Sequence, residues 1–148
     1  MNESWDRRIK LTIDSDLGCV FLVGIAVNRI CSYMDLPELE AYQLETCVVE
    51  AVNNAVEHAY DGVFGHEVEV VVKLAPDRIR FEVYDAGRPL PSADPPEFNI
   101  DPDDLESLPE RGMGLFIIHQ VMDVVEYRVE EGRNVLVMER LLSRENGD

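Results

Sequence analysis

Glu50, Asn54 and His58 recur at every fourth position of one stretch of this sequence. At about 3.6 residues per turn, that spacing sets the three side chains in one row along a helix. A carboxylate one turn from a carboxamide places a proton acceptor beside a neutral oxygen ligand, a pairing that suits a hard cation such as Mg²⁺ together with an activated hydroxyl. The same spacing also describes a solvated polar stripe. A second group, Tyr84-Asp85-Ala86-Gly87-Arg88-Pro89, puts an acid at a strand end with glycine two residues on. That acid can accept hydrogen bonds from a ligand while the glycine admits close approach, and D-x-G is equally ordinary turn chemistry. A third group, Arg111-Gly112-Met113-Gly114-Leu115, stands where a loop meets a helix start, and glycines there expose N–H groups able to hold phosphate oxygens. It is no Walker A, since no G-K-[ST] follows, and no Rossmann turn, since a loop precedes it.

These residues need elements to hold them. Ile9, Leu11 and Ile13 alternate with polar neighbours and predict a strand. Asp14 or Ser15 then caps a helix running to about Asp35, in which Leu17, Val20, Phe21, Ile25, Val27, Ile30 and Met34 recur at helical spacing. Leu36-Pro37-Glu38 starts a second helix, carried through Tyr60 and stopped by Asp61-Gly62. Val68, Val70 and Val72, then Ile79, Phe81 and Val83, predict a hairpin turning at Ala75-Pro76-Asp77. Pro89 to Glu110 holds six of the eight prolines and seven acids with no Lys, Arg or His, which predicts a long loop. A helix from Leu115 to about Met122 and strands at Val125–Val129 and Val135–Leu141, turning at Gly132, complete the chain. The order β-α-α-β-β-loop-α-β-β excludes a repeating parallel βαβ pattern. It predicts an α+β fold: a two-layer α/β sandwich, its sheet mixed but mostly antiparallel, with helices on one face.

The 148 residues predict a single domain, 1–148, with a core large enough to need neither disulfide nor structural metal. Thirty Asp and Glu against thirteen Lys and Arg leave a net charge of -17, which opposes nucleic acid and anionic membranes and suits a basic protein partner. Cys19, Cys31 and Cys47 are odd in number and lie in apolar stretches, so they read as free, buried thiols. A charged N-terminus and the lack of a long apolar run predict neither signal peptide nor membrane span, and a cytoplasmic location.

The joint order of E-x-x-x-N-x-x-x-H, D-x-G and G-x-G resembles the Bergerat-fold (GHKL) ATPases of gyrase-type topoisomerases, histidine kinases and MutL proteins. Glu50 to Tyr60, Asp85-Ala86-Gly87-Arg88-Pro89 and Leu108 to Phe116 look more specifically like the bacterial anti-sigma-factor serine kinases, a resemblance that covers nearly the whole chain. Arg88-Pro89 replaces a second glycine, and Arg111 stands where a glycine is frequent.

The resemblance implies ATP and Mg²⁺ as cofactors. It makes Glu50 the general base that orients an attacking serine hydroxyl, Asn54 the Mg²⁺ ligand and Asp85 the acceptor for the adenine amine. Gly87 would clear space beside the base. Gly112, Met113, Gly114 and Leu115 would wrap the phosphates, with His58, Arg88 and Arg111 as further nucleotide contacts and a lid at about 88–111. The implied partners are a sigma factor, a STAS-type anti-anti-sigma protein that the kinase phosphorylates, and a second copy in a homodimer. The alternative is a catalytically silent ATP-binding module that sequesters its partner, against which Glu50 speaks.

Overall fold

The computed structural model describes residues 4–95, 103 and 113–142. Its elements run β1 (Arg7–Asp14), α1 (Leu17–Tyr33), α2 (Glu38–Asn54), a π turn (Ala55–Ala59), β2 (Glu67–Ala75), β3 (Arg78–Asp85), α3 (Met113–Val121), β4 (Val124–Glu130) and β5 (Arg133–Leu141). The strands form one sheet in the order β1-β2-β3-β5-β4, and all four pairings are antiparallel.

Alternation decides the layers, because successive side chains of a strand point to opposite faces. Val68, Val70, Val72 and Leu74 of β2, Ile79, Phe81 and Val83 of β3, and Leu136 and Met138 of β5 all join one buried cluster. From the helices, Val20, Val23, Val27 and Cys31 of α1 and Leu44, Cys47, Val48, Ala51 and Val52 of α2 complete it. The other sheet face carries ion pairs, Lys73 to Glu82 at 3.1 Å and Arg80 to Glu139 at 2.8 Å. This is the two-layer architecture that the strand and helix order demands.

Three local readings change. Asp16, not Asp14 or Ser15, caps α1, its Oδ1 accepting from Gly18 N–H at 2.9 Å. Ser15 is instead buried and ties the chain to a distant loop, its hydroxyl donating to the Val63 carbonyl at 2.6 Å. The second helix is α-helical only to Asn54. It then widens into the π turn, where Tyr60 N–H reaches back to the Ala55 carbonyl at 3.2 Å. The apolar stripe read along α1 is split, for Leu17, Phe21 and Ile25 are exposed with Leu22 while Val20 and Val27 are buried.

Candidate functional site

Glu50 and Asn54 stand one turn apart on α2, and the π turn begins directly after Asn54. His58 is exposed, and its carbonyl accepts from Arg88 Nη2 at 3.1 Å. α3 packs across the start of this row. A methyl group added at Gly114 would lie 3.2 Å from Glu50 Cβ and 3.3 Å from its Oε2, so glycine here lets α3 close against the carboxylate. Burial, and after it the charge of Glu57, pushes the Glu50 carboxyl above its ordinary value. A carboxyl shifted upward is the stronger base in its ionised form, which suits a proton acceptor.

Asp85 ends β3 in a cleft that it lines with Asn54, Ala55, Ala59, Leu90 and Tyr127. The turn it opens is held from four sides. Ala86 N–H donates to the Tyr60 hydroxyl at 2.7 Å, Arg88 N–H to the Ala59 carbonyl at 3.0 Å, and Leu90 N–H to the Tyr127 hydroxyl at 2.8 Å. From β5, Asn134 Nδ2 donates to Asp85 Oδ1 at 2.7 Å and to the Gly87 carbonyl at 3.0 Å. Burial raises both tyrosine hydroxyls above their ordinary pKa, so they stay neutral and can accept these bonds.

One sequence expectation takes a different form. At Gly87 an added Cβ would come within 2.3 Å of the Ala59 carbonyl oxygen, so the space this glycine clears is for the π turn. The Arg88 guanidinium pairs with Asp61 at 2.7 Å, which ties it to the turn, and the residue also lines the cleft with Asn54 and Asp85. Met113, Gly114 and Leu115 open α3 as expected, whereas Arg111, Gly112 and most of the 88–111 segment lie outside the described residues. Asn134, Tyr60 and Tyr127 were missed. For Asn134 the signal was present, because period two places it on the same face as Leu136 and Met138, where a buried amide requires a partner.

The chemistry of this cleft fits a flat base with one polar edge: walls that are mostly apolar, one carboxylate, a carboxamide from the helix, and Arg88 in the lining. Its cavity is only about 20 Å³, room for about one water, with Leu90 and Tyr127 among its walls. Hard-cation chemistry fits as well. Among the described residues no three His, Cys, Asp or Glu side chains converge, so a cation at Asn54 would draw its other oxygens from phosphate and water, as Mg²⁺ commonly does.

Residues 17–140 match the model of the histidine kinase-like ATPase domain. The chain belongs to that family. ATP is the nucleotide that family uses. The chain is 31% identical over 159 residues to a serine-protein kinase RsbW of Bacillus pumilus, covering 100% of this chain and 93% of that one. A serine-protein kinase RsbW of Halalkalibacterium halodurans is 30% identical over 144 residues, covering 95% and 86%. These near full-length matches support serine kinase activity here. Among solved structures, the RsbU and RsbW domains of a Mycobacterium tuberculosis protein share the fold at TM-score 0.65 and 17% identity, over 91% of this chain and 32% of that one. The SiaB–SiaC complex of Pseudomonas aeruginosa follows at TM-score 0.57 and 13% identity, over 89% of each. Among the described residues no helix is long and apolar enough to cross a membrane.

Proposed function

We propose that this protein is a cytoplasmic anti-sigma factor that works by partner switching. It phosphorylates a serine of a STAS-type anti-anti-sigma protein and, when that antagonist is modified, sequesters a sigma factor. The observation that carries the reading is a nearly full-length kinase similarity combined with Asn54 and Asp85 lining one cleft, Glu50 one turn above. The net charge of -17 favours a basic partner surface.

In this reading Asp85 accepts a hydrogen bond from the exocyclic amine of the base. Asn54 holds Mg²⁺, and Glu50 orients the incoming serine hydroxyl and takes its proton. Bound Mg²⁺-ATP supplies the phosphoryl group and neutralises charge at the phosphates. Gly112, Met113, Gly114 and Leu115 serve as the phosphate contacts, and the segment at about 88–111 acts as the lid. Because the cavity is small, admitting a base requires its walls to part. The homodimer expected of such a kinase has a surface suited to it in the exposed Leu17, Phe21, Leu22 and Ile25 of α1, next to the edge strand β1.

The test is transfer of label from γ-labelled ATP to a purified candidate antagonist. Label should appear on an antagonist serine with the native protein and fall by ~10²–10⁴-fold with Glu50→Gln, the range for loss of a general base. Tight antagonist binding with no transfer by the native protein would replace the kinase reading with the silent module.

A further inference from the structure

Asp85 and Asn134 are 49 residues apart in sequence and directly paired across β3 and β5. Asn134 is 3% exposed, and both groups next to its Nδ2, the Asp85 carboxylate and the Gly87 carbonyl, can only accept. The amide orientation is therefore set by its partners, with the nitrogen toward the turn. Asp85 Oδ1 takes two donors, Asn134 Nδ2 at 2.7 Å and Gly87 N–H at 3.0 Å. A carboxylate oxygen offers about two lone-pair sites, so Oδ1 is filled. Among the described residues Oδ2 receives no hydrogen bond, and Asp85 lines the cleft.

We propose that Asn134 is a positioning residue for nucleobase recognition: by saturating one oxygen of Asp85 and tying down the Gly87 carbonyl, it aims the remaining oxygen at the exocyclic amine of the base. A carboxylate free to rotate would meet the ligand with either oxygen and spend part of its affinity on being ordered. Locked, it presents one acceptor in one direction. That arrangement favours a base bearing an amine over one bearing a carbonyl at the same place, since lone pairs would then oppose lone pairs. The inference rests on Asp85 being the base acceptor, and the experiment separates the two.

Calorimetric titration of the full chain with Mg²⁺-ADP and with Mg²⁺-inosine diphosphate, which carries a carbonyl in place of the amine, reads the selectivity directly. Asp85→Asn tests the underlying assignment: if it keeps the native ADP preference, Asp85 is not the base acceptor. Asn134→Leu, similar in size but unable to donate, should weaken ADP by roughly 10–100-fold, the range for a hydrogen bond to a charged group, with inosine diphosphate changed less than about threefold. Asn134→Thr, which keeps a donor, should recover part of the preference. If Asp85→Asn abolishes the preference while Asn134→Leu weakens both ligands equally, or neither, Asn134 is merely structural and the inference fails. Should the leucine variant not fold, Asn134→Ala, smaller and with no side-chain group to donate, carries the same expectation of lost ADP preference, and a retained preference would overturn the proposal equally.

Discussion

Gly87→Ala isolates one contact on which the site depends. The introduced Cβ would stand 2.3 Å from the Ala59 carbonyl oxygen, 2.7 Å from its carbon and 2.8 Å from Ala59 Cβ. These are backbone atoms of a π turn and the methyl attached to it, so no flexible side-chain end can yield, and the two segments must part by about 1 Å to approach ordinary contact. Overpacking of this kind costs about 1–3 kcal/mol. The separation also stretches the Arg88 N–H to Ala59 carbonyl bond, now 3.0 Å, a further loss of about 1 kcal/mol. Restricting the unfolded chain returns about 0.4–1 kcal/mol. The net expectation is a destabilisation of roughly 1–3 kcal/mol in urea unfolding, with ADP affinity down at least about tenfold because Asp85 rides on the displaced turn. Gly132→Ala is the control. That glycine has a φ of 73° and nothing within 4 Å, so alanine there costs roughly 1–2 kcal/mol of backbone strain and leaves ADP affinity unchanged. A Gly87→Ala protein with native stability and native affinity would refute the close packing of the D-x-G turn on the π turn.

The remaining expectations concern ionisable groups. Glu50→Gln should raise stability at pH 7: with the native carboxyl shifted upward by burial and Glu57, the folded state binds its proton more tightly than the unfolded state. The stability that this proton contributes is therefore present below the unfolded value and lost as pH rises through the folded one. Urea midpoints at pH 7 and in acid should show the gain of Glu50→Gln shrinking toward zero as pH falls, and a variant less stable than the native protein at pH 7 would contradict it. Burial pushes the thiols of Cys31 and Cys47 up to about 12, while Cys19 is partly exposed. A disulfide reagent at pH 8 should thus titrate one thiol in the native protein and three in denaturant.

Local pattern was enough for the elements of this protein and for the identity of its chemical groups. Period-two alternation placed the hairpin of β2 and β3 to within a residue or two, and helical spacing placed α1 and the row containing Glu50 and Asn54, because burial on one face imposes those periods on the sequence itself. The carboxylate, carboxamide and glycines were legible as types. What touches them was not. The sheet order brings β5, rather than the neighbouring β4, against β3, and only that choice sets Asn134 against Asp85. The π turn likewise has no local signature in Ala55–Ala59. It is tied to tertiary contacts, with Tyr60 bonded to Ala86 and Glu67 and the Ala59 carbonyl bonded to Arg88. Exposure of Phe21 and Ile25 on an otherwise ordinary apolar helix was decided the same way, since a helix hydrophobic on two sides has only one sheet to cover it. Sequence periodicity records which side chains need burial or a partner, and long-range packing selects which partner each one meets.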